Sequence, residues 1–231
     1  MITDEKIIVL KPKGFKLRII GGVALAILFP YTIMLAWWPF HLAYETRLYY
    51  SRFIFWVEIL LLIVYSRKVE RRPLLIWKDR EFDILFFIGS VILLYILTWV
   101  ASIIAFIPHM LGMHDNRVLI DKMTRVFKNH HGIMVFSAFT AGVTEELIFR
   151  GYIYTRLSLL FKKDYWAIML SALVFSAVHL PYKSLQENIY TFLIGVICAV
   201  YYQKYRDIKV IITLHFFIDF ISFTLLNHYA K

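Results

Sequence analysis

With 231 residues, 60% hydrophobic and 18% aromatic, and a mean hydropathy of +0.65, the chain lies outside the soluble range of about 45–50% apolar and reads as a polytopic membrane protein. Its 26 Lys and Arg outnumber 16 Asp and Glu, but the cations lie between apolar runs instead of forming one patch, which excludes a nucleic-acid surface and points to membrane topology and anionic lipid. The single cysteine, Cys198 in "FLIGVICAVYY", excludes an intramolecular disulfide and reads as packing.

The opening "MITDEKIIVLKPKGFKLRIIGG" places a basic, polar stretch ahead of the first apolar run at about 19–40. That run is long enough to span and ends in "AWWPF" with no small-residue cleavage pattern, so a retained helix is expected, with Trp37 and Trp38 in an interfacial aromatic belt. Further apolar runs follow at about 48–65, 83–108, 132–161, 165–180, 189–203 and 208–228. The expected fold is an all-α transmembrane bundle of about 7–8 membrane segments. Arg52 and Glu58 interrupt the second run and read as structural residues snorkelling toward the interfaces. Gly151 interrupts the fourth, which is then either one kinked helix or a span followed by a surface turn. The longest linker, His109 to His131, is polar; its His109, His114, His130 and His131 match no strong metal-ligand spacing and read as a solvated loop. Alternating the segments from a cytoplasmic amino terminus puts 18 Lys and Arg inside and 8 outside, which favours that orientation.

Charge inside a spanning helix costs about 2.5–3.5 kcal/mol on insertion scales and marks function or pairing. Six residues of the carboxy-terminal half need such an account: Glu145, Glu146, Arg150, His179, His215 and Asp219. Glu146 and Arg150 are four apart with the glutamate first, the favourable order for an ion pair, whereas Glu145 is rotated about 100° from Glu146. One carboxylate is thus neutralised while its neighbour stays free. His215 and Asp219 repeat the i, i+4 spacing, so the acid can orient the imidazole or share a ligand with it. If the chain turns at Lys162-Lys163-Asp164, Glu145 and His179 lie about 24 Å and 22 Å from the turn, nearly at one depth. His215, about 12 Å beyond Asp207, joins them if the hairpin tip, with Arg156, Lys162, Lys163 and Asp164, projects roughly 10 Å into water. Pro181 ends the helix just after His179, and irregular backbone at membrane depth needs protein or a watery cavity around it. A hydrated pocket inside the bilayer is the expectation. Each group alone has a structural alternative: an ion pair at a helix end, a histidine bonded to a freed carbonyl, or a hydrogen-bonded His–Asp pair. The helix-borne H-E-x-x-H of zinc proteases is absent, and neither Cys198 nor Ser176 has a triad around it.

These residues also carry a likeness. "EELIFR" (Glu145, Glu146, Arg150) resembles the E-E-x-x-x-R motif, "FSAVH" (Phe175, His179) resembles F-x-x-x-H, and "HFFID" (His215, Asp219) resembles the H-x-x-x-N/D motif of the CAAX protease and bacteriocin-processing enzyme (Abi) family of intramembrane proteases, which includes type II CAAX prenyl endopeptidases. The likeness covers roughly residues 130–225. It implies one integral membrane domain over 1–231, with variable helices at 18–130 and a catalytic core at 131–228 around an intramembrane cavity. It implies further that Glu145 activates the hydrolytic water, Arg150 holds Glu146, His179 positions the water, and His215 with Asp219 stabilises the oxyanion. Family members often carry Asn where this chain has Asp219, and an ionised aspartate can only accept hydrogen bonds. Asp219 is then protonated, or orients His215, or the acids and histidines hold a metal; a zinc ion would fall to Glu145, His179 and His215. The implied substrate is a membrane-embedded or lipid-anchored peptide, and the implied location a prokaryotic cytoplasmic membrane. The competing functions are a non-catalytic scaffold or immunity protein and an ion or metal transporter; the latter should show internal repeats, and the sequence has none.

Overall fold

Inside hydrocarbon each backbone N–H and C=O must find its partner within its own segment, so apolar runs of this length fold as helices. The computed structural model of the protein describes residues 14–37, 42–113, 115–116 and 118–229, among which there are helices and no strand. Trp38, the basic stretch before Gly14, His114 and the side chain of Trp37 lie outside the described residues.

Helix α1 (Phe15–Trp37) packs along α2 (Tyr44–Tyr65), which runs on through a π-helical turn, Ser66–Glu70. Asp83 caps α3 (Ile84–Ala105) by accepting the Phe86 N–H at 2.7 Å. The polar linker folds into two short helices, α4 (Ile107–Met110) and α5 (Val118–Asn129). In α5 the buried Met123 and Phe127 are four apart while Lys122 and Arg125 are exposed, so a helix-period signal was present in a segment read as loop. Helix α6 (His131–Glu146) continues through a π-helical segment, Leu147–Tyr154, into α7 (Thr155–Leu160). The chain passes Gly151 as continuous helix and not as a surface turn, with wide π winding as the irregularity there. Helices α8 (Asp164–Ala177), α9 (Leu185–Tyr205) and α10 (Ile208–Tyr229) complete the bundle.

Among the described residues, six helical runs are long and apolar enough to cross a bilayer: Phe15–Ile33, Tyr44–Glu70, Ile84–Met110, His131–Leu160, Asp164–Tyr182 and Ile208–Leu226. The protein is an integral membrane protein. The seventh expected segment lies in α9, whose 21 residues could span but whose ends carry Gln186, Glu187, Asn188, Gln203 and Lys204 and lower its hydropathy. It packs against α8 and α3 instead of standing alone in lipid.

Small residues set the closest approaches. A Cβ on Gly142 of α6 would sit 2.9 Å from the backbone nitrogen of Phe216 on α10, and one on Gly195 of α9 would sit 2.9 Å from Ala172 on α8. The first contact matters most, because Glu146 lies one turn beyond Gly142 on the same face. Helix α2 meets α6 through the Trp56 indole, which donates to the Thr140 hydroxyl at 3.2 Å.

A buried ionic clasp joins the end of α2 to the end of the α6–α7 run. Glu70 Oε2 accepts from Arg156 Nε at 3.1 Å and Nη2 at 2.9 Å, and its Oε1 accepts from the Tyr152 hydroxyl at 2.7 Å. Arg156 also donates to the carbonyls of Pro73 and Leu74 and stacks over the Tyr152 ring at 4.1 Å. Arg156 is therefore not part of a projecting polar tip: it is 0% exposed, because the connector after Glu70 folds back over it. Arg156→Ala removes one partner of a buried pair and should destabilise the protein by about 3–5 kcal/mol, whereas replacing both partners in Glu70→Met/Arg156→Met should recover part of that loss. Thermal unfolding in detergent, followed by tryptophan fluorescence, reads the difference.

Candidate active site

Consecutive helical residues point about 100° apart, and the last turn of α6 uses this to give Glu145 and Glu146 different surroundings. Glu146 faces the interior and is 0% exposed. Its Oε1 accepts from Arg150 Nη1 at 2.7 Å and from His215 Nδ1 at 2.7 Å. Arg150 is held in turn: its guanidinium lies over the Phe175 ring at 4.3 Å, and its second nitrogen reaches the Ile194 carbonyl at 3.5 Å. Arg150 makes all three contacts from within the π-wound segment Leu147–Tyr154.

Glu145 lacks these partners. Its Oε2 is buried with no hydrogen-bond partner among the described residues and lies 3.8 Å from His215 Nε2. Asp219 Oδ2 is 3.9 Å from the same nitrogen. His215 is thus oriented by Glu146, not by the Asp219 that shares its helix face; a carboxylate only accepts, so Nδ1 carries the proton and Nε2 is the atom turned to Glu145 and Asp219. The close approach of α10 at Gly142 accounts for this, since it brings His215 against the next turn of α6.

His179 follows the end of α8. The backbone there tightens, the His179 N–H bonding Ser176 O at 3.0 Å, so the Phe175 carbonyl is left for the His179 side chain, whose Nδ1–H donates to it at 2.8 Å. The carbonyl-bonding alternative is therefore present, and it leaves Nε2 as the free nitrogen. Phe175 lies between the two imidazoles, 5.0 Å from the His179 ring centroid and 6.2 Å from that of His215.

Glu145 and His179 line a cavity of about 360 Å³ walled by α1, α2, α5, the end of α6 and the irregular turn at 178–182. A larger cavity, about 680 Å³, lies between α3, α9 and α10 and contains none of the six motif residues, although Glu187 on its wall is within electrostatic reach of His179 and Glu145.

Two residues first read as snorkelling face the smaller cavity. Glu58 is 1% exposed, both its oxygens lack a partner among the described residues, and it is in the electrostatic field of Glu145. Arg52 lines the same space. The signal was available: Leu48, Ser51, Arg52, Phe55 and Glu58 fall at i, i+3, i+4, i+7 and i+10, one face of a helix. Both side chains line the cavity between that face of α2 and the carboxy-terminal half.

Among the described residues no group of three or more His, Cys, Asp or Glu is arranged to hold a metal ion. Glu145, His179 and His215 form no such group as placed, although each imidazole keeps Nε2 free of hydrogen bonds while Nδ1 is engaged. Ser176 donates to the Asn188 carbonyl at 2.7 Å, and Cys198 is buried outside the cavity. His130 bonds Glu45 at 3.1 Å on the surface.

A family model described as type II CAAX prenyl endopeptidase Rce1-like matches residues 128–221, the stretch that holds all six motif residues. No curated protein and no solved structure gave a match.

The two glutamates should differ in what they do for stability. Glu146→Ala leaves a 2%-exposed guanidinium without its carboxylate and should cost about 3–5 kcal/mol. Glu145→Ala removes a side chain with no hydrogen bond among the described residues and should cost under about 1 kcal/mol. Thermal denaturation in detergent gives both values; the opposite ranking would make Glu145 the structural acid.

Proposed function

We propose that the chain is an intramembrane protease of the type II CAAX prenyl endopeptidase Rce1-like family, whose model its residues 128–221 match, and that Glu145 is the base that activates water for hydrolysis of a peptide bond in a membrane-associated or lipid-linked substrate. The observation that supports this reading is the contrast between the two glutamates. Glu146 is held by Arg150 and His215 through its Oε1, its Oε2 being without a partner among the described residues, while Glu145 makes no hydrogen bond among the described residues and lies at the cavity wall beside His215.

The chemistry follows from which atoms are free. A water held between Glu145 and His179 Nε2 gives a proton to the Glu145 carboxylate as its oxygen attacks the scissile carbonyl carbon. The oxyanion that forms is stabilised at His215 Nε2. Because Nδ1–H is committed to Glu146, donation from Nε2 requires the doubly protonated ring, whose charge Glu146, Glu145 and Asp219 balance. Asp219 then has a use as an acceptor-only residue: it offsets the imidazolium and need not donate to the oxyanion itself. Collapse of the tetrahedral intermediate breaks the C–N bond, and the Glu145 carboxyl returns its proton to the leaving amine. In this reading residues 131–228 carry the chemistry, the preceding helices wall the substrate space, and the amino terminus faces the cytoplasm.

The test is cleavage of an S-farnesylated peptide with a carboxy-terminal CAAX sequence by the protein in lipid nanodiscs. Glu145→Ala should lower kcat about 10²–10⁴-fold and His215→Ala about 10²–10³-fold, with folding verified by the denaturation assay above. Cleavage that persists in Glu145→Ala removes it as the base. Activity lost to 1,10-phenanthroline and restored by zinc would replace this water-activation scheme with a metal-dependent one.

A further inference from the structure

The larger cavity, about 680 Å³, takes no part in the proposed hydrolysis, and it runs as a groove along the Ile84–Met110 helical run. Tyr95, Thr98, Trp99, Ser102, Phe106 and His109 line it at i, i+3, i+4, i+7, i+11 and i+14, one face of a helix. At 1.5 Å per residue that face is about 21 Å long. Half of a bilayer, counted with its headgroups, is about 20–22 Å. The groove therefore has the height of one leaflet.

Its walls are apolar and its end is acidic. Ile218, Ile221 and Leu225 of α10 face α3 across it, and Trp99, Phe106 and Leu225 at its margins are exposed, so one side opens toward hydrocarbon. The end near His109 carries two carboxylates, Asp115 and Glu187, and among the described residues no lysine or arginine lines the groove. Both acids are held at the start of α9: Asp115 Oδ1 accepts the Leu185 N–H at 2.8 Å, and Ser184, the N-cap, accepts the Glu187 N–H at 3.0 Å. Ser184 and Glu187 have the spacing of a capping box, in which the glutamate would reach back to the Ser184 N–H. The Glu187 carboxylate does not do so: among the described residues it makes no hydrogen bond or ion pair. The two carboxylates lie in each other's electrostatic field, and a cation between them would relieve both.

We infer that this groove binds one phospholipid with a primary ammonium headgroup, its acyl chain along α3 and α10 and its ammonium donating to Glu187 and Asp115. A primary ammonium carries three N–H donors and can meet both acids at once, whereas a choline headgroup carries none and an anionic headgroup is repelled. The lipid is a bound companion of the helices and not a substrate, so the inference does not rest on the endopeptidase reading.

The test is lipid retention, which needs no turnover. The full chain is equilibrated with equimolar phosphatidylethanolamine, phosphatidylcholine and phosphatidylglycerol of the same acyl chains, and the lipid that stays bound is read by native mass spectrometry. The wild type should retain the ethanolamine lipid about tenfold over the choline lipid, the size expected of one charge-assisted contact. In the double variant Asp115→Asn/Glu187→Gln that ratio should fall toward one. Ser102→Trp, which fills the groove midway, should lower retention of the ethanolamine lipid with both acids intact. Equal retention of ethanolamine and choline lipids, a preference for the glycerol lipid, or a ratio unchanged in the double variant overturns the assignment; the wild-type comparison needs no variant and decides even where the variants do not fold. Displacement of the ethanolamine lipid by farnesol would make the groove a pocket for an isoprenoid chain, and the inference fails.

Discussion

The site depends on how one buried negative charge is satisfied. Glu146 has almost no access to water, so its charge must be met by the protein, and it is met twice on one oxygen, by Arg150 and by His215. Those bonds fix a side chain on α6, another on the π-wound segment and a third on α10. Two of the three are in turn held by packing: Arg150 on the Phe175 ring, and His215 through α10 against the Gly142 surface. The neighbouring Glu145 keeps its chemistry because Glu146 takes the counter-charges. Two identical side chains one residue apart thus become a fixed strut and an available base.

Helix irregularities do much of the positioning. The eight-residue π segment holds Arg150 and Tyr152 and leads directly into Arg156, so the buried contacts to Glu146 and to Glu70 both come from this irregular stretch. The tight end of α8 does the same for His179, releasing the Phe175 carbonyl to pin one nitrogen and leave the other unbound. In both places the backbone departs from ideal geometry beside a residue of the site, and in both the freed polar groups are re-paired within the protein, as a bilayer demands.

Much of this was legible from residue spacing. The i, i+4 relation of Glu146 and Arg150 and the rotation of Glu145 away from them follow from 3.6 residues per turn alone. The helices themselves follow from the length of the apolar runs. Three things were not legible. The partner of His215 lies 69 residues away, and only the packing of α10 on α6 brings it within reach, so the local candidate Asp219 stood in for it. Arg156 looked like a surface residue because the connector that covers it carries no periodic signal. Arg52 and Glu58 did carry one, on a shared face of α2, but that face looked lipid-exposed without knowledge of which helix lay against it.

The Glu70–Arg156 clasp bears on where this protein can be divided. Arg156 and Tyr152 lie inside the motif-bearing stretch, yet the oxygens that complete them belong to Glu70, Pro73 and Leu74, upstream of it. A transplant of the motif region alone into another helical scaffold would carry an uncompensated guanidinium in its interior. The amino-terminal helices therefore complete the interior of the half that follows, and the two halves should be exchanged between relatives only as a matched pair.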